Sequence, residues 1–350
     1  MSQEEEEQPR VLAASVADFR YFAALLKGVS FTNRARVSID PAAFIVTVEE
    51  ARSIQATAYI FRDIFDEYVY RPESRHGSQD LDRSGEDYVT TVFEIPLHTL
   101  IECLNIFGST PLNPGSATKK KQKHEDGGDS DGGGPRNRDK GPGDPGAGIA
   151  RLDQWFAPGK GTGMRLSYAG AGHPLTLFIV DESGGPTATC EITTWEHEPT
   201  DSEFSIDGDG AVLKIILKSS WLRDALAELD QNTTTLTIIG NPPPPGNRIV
   251  RNAPPRLRLR AVGQFGTTEM DYPNDREVLE TCECPEAVSF TYRYSHVAKA
   301  LRAMQSSMKT SLRIDQTGML SLQFMMPTPR RRNKQAQAFI EFWCLAMDDP

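Results

Sequence analysis

The order of elements written into this chain occurs twice. Periodicity, β-branched runs and turn residues predict strand, helix, five strands, helix, three strands, and then the same order again. In the first half the strands are expected at 11–16, 34–39, 44–48, 55–60, 68–71, 89–95, 164–169, 175–180 and 187–195. In the second they are expected at 212–218, 234–239, 257–262, 267–272, 278–282, 288–294, 310–314, 320–325 and 338–346. Helices are expected at 17–27, 97–106, 220–230 and 295–307. Many connections are too short for parallel crossovers, so an α+β fold of mainly antiparallel sheets follows.

Polar stretches divide this pattern. Residues 1–9 form an acidic tail, with glutamates from Glu4 to Glu7. Residues 71–87 form a short polar insertion. Residues 109–162 hold Lys119-Lys120-Lys121-Gln122-Lys123 and glycine-rich runs, and cannot bury enough apolar surface to offset their ordering entropy, so disorder is expected there. Pro242 to Pro245 make a third, rigid spacer. The acidic stretch 196–209 reads as a connector. It separates a first domain, 10–195, from a second, 210–347.

No stretch approaches 18 consecutive apolar residues, so no membrane partner is expected. The acidic start is neither a secretory signal nor a transit peptide. The five cysteines read as reduced thiols. Cys282-Glu283-Cys284 lacks two further ligands at matching spacing, so no metal and no cofactor are expected. The formal net charge of −10 argues at first against nucleic acid, but it is an average over the chain.

The helices carry the local detail. In 295–307, Val297, Leu301 and Met304 share one face, with Lys299, Arg302 and Ser306 opposite. In 17–27 the apolar face is Phe19, Phe22, Ala23 and Leu26, with Arg20 and Lys27 together on a flank beside Ala24. In 220–230, Leu222, Leu226 and Leu229 face inward, Arg223 is the only cation, and Asp224 and Glu228 share the exposed side. Helix 97–106 offers His98, Glu102 and Asn105. Such faces suit weak phosphate contact, though an ordinary solvated surface helix has the same pattern.

Several strings then point to a family. They are Phe19-Arg20-Tyr21-Phe22 running to Lys27-Gly28-Val29-Ser30-Phe31, and Val46-Thr47-Val48-Glu49-Glu50 running to Ala56. Leu100-Ile101-Glu102-Cys103-Leu104-Asn105-Ile106-Phe107-Gly108, Tyr168 with His173-Pro174-Leu175, Met270-Asp271-Tyr272-Pro273 and Gly318-Met319-Leu320-Ser321-Leu322-Gln323 join them. With the duplicated order they resemble the DNA sliding clamps of the PCNA superfamily, and more closely the Rad-one subunits of nine-one-one checkpoint clamps. The resemblance covers nearly the whole chain outside the three insertions; the long 109–162 insertion departs from shorter family members.

The resemblance implies a DNA-clamp fold, with two duplicated domains, antiparallel sheets outside and paired helices inside. It implies a non-catalytic subunit of a nuclear heterotrimeric ring with Rad-nine-like and Hus-one-like partners. A checkpoint clamp loader would place the ring on double-stranded DNA, where it would recruit signalling and repair clients. The DNA-facing residues would be Arg20, Lys27, Arg223, Lys299 and Arg302. The strand holding Thr187, Thr189, Glu191 and Thr193 would pair with a neighbour's strand equivalent to that of Thr267, Glu269 and Asp271. Clients would dock at the connector, at Glu198, Asp201, Phe204 and Ile206.

Alternatives stay open. A DNA exonuclease activity is attributed to the resembled family, and Asp201-Ser202-Glu203 has Asp-x-Glu spacing, although no strand fixes it. A scaffold that never encircles DNA is the third reading. Lys119–Lys123 and Arg330-Arg331-Arg332-Asn333-Lys334 each read as a nuclear signal, an auxiliary DNA contact or solvated loop charge.

Overall fold

A computed structural model describes residues 10–72, 78–81, 87–106, 162–181, 186–198, 204–206, 210–243, 254–327 and 338–347. The acidic tail, the basic runs, Asp201 and Glu203, and nearly all of 109–162 lie outside the described residues.

Alternating apolar residues build the strands, as the sequence predicts. Leu12, Ala14 and Val16 point inward from β1 (Leu12–Val16), and Leu213, Ile215 and Leu217 from β12 (Ala211–Lys218). One sheet has the order β10-β9-β8-β1-β5, adding β5 (Glu67–Tyr70), β8 (Thr162–Tyr168), β9 (Leu175–Asp181) and β10 (Thr187–Ile192). A second sheet begins with β11 (Trp195–Glu196), β7 (Asp87–Pro96), β2 (Arg34–Ile39), β3 (Ala43–Glu50) and β4 (Ile54–Phe61). It continues through β20 (Ala338–Cys344), β19 (Leu320–Met325), β18 (Lys309–Asp315), β12 and β16 (Leu279–Glu283). The third has the order β15 (Gly266–Tyr272), β14 (Leu257–Gly263), β13 (Thr233–Gly240) and β17 (Val288–Arg293). The pairings are antiparallel. Within the polar insertion 71–87, β6 (Ser78–Leu81) pairs with the start of β7, so part of that insertion extends the sheet.

The halves repeat in space. The order β10-β9-β8-β1-β5 matches β20-β19-β18-β12-β16, and β7-β2-β3-β4 matches β17-β13-β14-β15. Two of these four sets merge, because β4 pairs with β20 from Ile54↔Cys344 to Ile60↔Ala338. That ladder is the seam between the repeats. Phe342 packs across it on Phe31 and Phe324, at ring distances of 6.1 and 5.9 Å. On the other face the buried Glu341 accepts hydrogen bonds from Ser321 Oγ at 2.8 Å and Gln323 Nε2 at 2.9 Å. Burial, helped by Glu341, pushes the Tyr59 phenol up to about 12.

The helices are α1 (Arg20–Val29), α2 (Leu97–Leu104), α3 (Ser219–Ala227), α4 (Tyr294–Lys299) and α5 (Leu301–Met304). All four expected helices change bounds: α1 ends at Val29, α2 at Leu104 and α3 at Ala227, and two further changes have a visible cause. α1 starts after residue 17 because tertiary acceptors claim the preceding amides: Ala17 N–H donates to Asp66 Oδ2 at 2.6 Å and Phe19 N–H to Thr162 O at 3.2 Å. The expected helix 295–307 divides at Ala300, whose N–H bonds back three residues to Val297 O at 3.0 Å. Gly28 permits α1 to close on the seam. A Cβ there would lie 2.5 Å from Ile340 Cδ1 and 3.6 Å from Ala303 Cβ. Replacing Gly28 by Val therefore overpacks the seam, and should cost about 1–3 kcal/mol in a denaturant unfolding measurement.

Candidate DNA-facing surface and subunit edges

α1 buries most of its surface and leaves one half-exposed stripe of Arg20, Ala24 and Lys27, the flank expected from its period. The cations on and around this stripe divide into two kinds. Arg20 is tied to its own helix entry, with Nη2 at 2.6 Å from Asp18 Oδ2. Arg223 of α3 pairs with the adjacent Asp224 at 2.7 Å. Each is largely neutralised by a carboxylate one or two residues away.

Lys27 and Arg302 meet at the seam instead. Lys27 Nζ donates to Asn105 Oδ1 at 3.3 Å, and Arg302 Nη1 to Ser30 Oγ at 3.2 Å. Burial, and then the charge of Arg302, push the Lys27 ammonium below its ordinary value. Arg302 is exposed and forms no ion pair among the described residues. Two cations whose charges oppose each other favour an anion nearby.

Lys299 behaves differently from the expectation that it shares the exposed face of Arg302. It is half-buried, with Nζ 2.5 Å from Glu50 Oε1 and 4.9 Å from the centre of the Phe31 ring. Glu50 lies in the other repeat. The side chain therefore ties the repeats together, because a carboxylate and an aromatic face offer it more than water does.

The two candidate edge strands both lie at sheet ends. Among the described residues, β10 pairs only with β9, and β15 only with β14. Thr187, Thr189 and Glu191 are exposed on β10. Thr193 is not part of that ladder. The expected strand 187–195 breaks after Ile192, Thr194 Oγ1 donates to His173 O at 2.8 Å, and Trp195–Glu196 then pair with β7 of the other sheet. On β15, Thr267, Glu269 and Asp271 are exposed. Arg258 holds Asp271 at 2.6 Å and Glu269 at 3.3 Å, and its hydrogen bonds keep the Asp271 carboxyl below the usual range.

In the connector, Glu198 is exposed, Phe204 and Ile206 are half-buried, and Asp201 lies outside the described residues. The root of the connector is held by a group that the sequence did not single out. Glu94 of β7 bonds both Arg34 Nε and His197 Nδ1, the latter at 2.9 Å, while Arg34 lies over the Trp195 ring at 5.6 Å. The string Trp195-Glu196-His197 is the signal available in the sequence, but the partners come from β2 and β7. Asp201 and Glu203 of the Asp-x-Glu spacing lie outside the described residues, and among the described residues no three His, Cys, Asp or Glu side chains gather as a metal site requires.

The sequence model of the family described as "Repair protein Rad1/Rec1/Rad17" matches residues 11–326. The chain belongs to this Rad1 family. It is 31% identical to the mouse "Cell cycle checkpoint protein RAD1", covering 97% of this chain and 94% of that protein. The human protein of the same name is 29% identical, over 97% and 93%. A Rad1-family relative from Mycosarcoma maydis, 25% identical over 96% of each chain, is called "DNA repair exonuclease REC1". Among solved structures, proliferating cellular nuclear antigen from Entamoeba histolytica superposes with a TM-score of 0.59. It is 11% identical, and the match covers 97% of this chain and 100% of that one. The fold of this Rad1-family chain is thus the clamp fold, with duplicated antiparallel sheets and helices paired across the seam.

The carboxylate of Glu94 makes a prediction. Burial alone would raise its pKa; the hydrogen bonds from His197 and Arg34 outweigh that and lower it. A depressed carboxylate stabilises the fold above its unfolded value, and the benefit is lost as pH falls through the lowered native value. Glu94→Gln should leave the fold intact and raise amide exchange at 195–197 at neutral pH, read by hydrogen-exchange mass spectrometry.

Proposed function

We propose that this chain is a non-catalytic subunit of a heterotrimeric ring clamp that encircles DNA at sites of damage in the nucleus and recruits checkpoint and repair factors. Its ring partners are chains of the Rad-nine-like and Hus-one-like kinds, loaded by a checkpoint clamp loader. The domains run 10–195 and 210–347, joined by the connector 196–209, where clients dock.

One observation carries the reading. Inside the chain, the repeats join by an antiparallel ladder between β4 and β20. By the repeat correspondence, β15 is the second copy of β4 and β10 the first copy of β20. The strands with which the seam is made therefore recur, unjoined among the described residues, at two of the six sheet ends. An edge strand attracts another strand, and a neighbour's edge satisfies it with main-chain bonds. Repeating the seam geometry between subunits continues the curve of sheets and keeps the helices on the inner side, where Lys27 and Arg302 meet phosphates without reading sequence.

Ring assembly is tested by native mass measurement. The chain alone should be a monomer, and should become a 1:1:1 complex with the two partner chains. A stable homotrimer would point to a replicative type of clamp. Inside the ring, Lys27→Gln with Arg302→Glu should lower retention on circular DNA several-fold at moderate salt while leaving assembly intact. Lys299→Glu is the wrong probe, because it breaks the tie to Glu50. Unchanged retention in the Lys27 and Arg302 variant would favour a scaffold that does not encircle DNA.

The name of the Mycosarcoma maydis relative supports a second reading, a metal-dependent 3'–5' exonuclease. Digestion of DNA ends that requires a divalent metal and disappears on replacing Asp201 and Glu203 would establish it. Activity that survives those replacements would trace to a contaminant or to other carboxylates.

A further inference from the structure

The seam is also a template for judging which partner each edge accepts. Phe93 of β7 lies opposite Val37, and Phe290 of β17 opposite Ile238, which places the two strands in register. Counting forward without a gap, α2 and α4 begin together at Leu97 and Tyr294, and Ile106 corresponds to Ala303. For the other helix pair, the buried Phe22 and Leu26 of α1 correspond to the buried Leu222 and Leu226 of α3. Tyr21 then corresponds to Trp221, and Gly28 to Glu228.

At the seam these positions fit closely. Ala303 is 1% exposed, set against Gly28, and Tyr21 is 8% exposed. Their counterparts at the two outer edges are uncovered: Ile106 is 52% exposed and Trp221 48%. The Trp221 carbonyl accepts a hydrogen bond from Tyr272 Oη at 3.1 Å, so Trp221 and the edge strand β15 form one continuous surface.

Closure onto a second copy would replace the Gly28–Ala303 contact by Glu228 against Ile106. Both side chains are larger than those they replace, and a carboxylate would be pressed onto a branched apolar group. Glu102, exposed on α2, stands where Lys299 stands at the seam, so an acidic helix would also meet the acidic face of Asp224 and Glu228. We propose that Glu228 and Ile106 prevent this chain from closing on itself. In this proposal the α3–β15 side accepts a different chain, whose facing helix brings a cation to Glu228 and an apolar recess to Trp221. The proposal rests on ring closure by edge strands and deepens it by naming the chemistry that selects the partner.

The test measures self-association of the full chain by sedimentation velocity at fixed concentration, with folding monitored by thermal unfolding. The pair Ile106→Ala with Glu228→Gly restores the seam residues, and should raise the self-association constant about tenfold or more over the unaltered chain. Adding Trp221→Ala should remove the gain. In a second arm, Glu228→Lys alone, an exposed change that leaves the core untouched, should weaken binding of the partner at the α3–β15 side by about tenfold and spare the β10 side. An unaltered chain that already self-associates as tightly as the double variant would overturn the proposal and leave ring closure standing. The same holds if the double variant stays monomeric and Glu228→Lys is silent while the chain still joins its partner subunits. Failure of the unaltered chain to join either partner would overturn ring closure and this proposal together.

Discussion

The ladder between β4 and β20 is the interaction on which the rest of the structure depends. Each strand would otherwise be an edge, with unpaired amides and carbonyls facing solvent or a buried face. Joined, they make one long sheet from both repeats, and its two faces are then sealed by different means. The inner face uses Phe31, Phe324 and Phe342. The outer face buries the Glu341 carboxylate, which is tolerable because neighbouring strands supply its donors. Removing Gln323 or Ser321 alone would strand part of that charge, so the seam is specific as well as strong. Lys299 and Glu50 close it at the helix side.

The net charge of −10 reads differently once the seam is known. Two of the helix cations, Arg20 and Arg223, are matched locally by Asp18 and Asp224, and Lys299 is matched across the repeats. Lys27 and Arg302 lie together where α1 meets α5, and Arg302 is exposed with no ion pair among the described residues. The acidic average of the chain thus coexists with a small, local positive spot.

Local patterns carried much of this into the sequence. The half-exposed stripe of Arg20, Ala24 and Lys27 follows from a helical period, and the inward residues of β1 and β12 follow from alternation. What the sequence hid were choices made by distant partners. Lys299 and Arg302 lie on adjacent exposed positions of one helix pattern, yet Lys299 turns to Glu50, far away in the chain. The break after Ile192 depends on the carbonyl of His173, and the start of α1 on Asp66 and Thr162. Trp221 lies outside the apolar face that the period of 220–230 picks out, and the sequence assigns it no role. Only the matching position, Tyr21, shows that its cover is missing.

The seam has a consequence for assembly thermodynamics. A junction between two repeats on one chain forms at the effective concentration set by their tether, and loses no translational freedom when it closes. The same junction between separate molecules carries the whole association entropy. By placing one β4·β20 ladder inside the polypeptide, the protein makes this joint without the loss of translational freedom that the same joint between separate chains would carry.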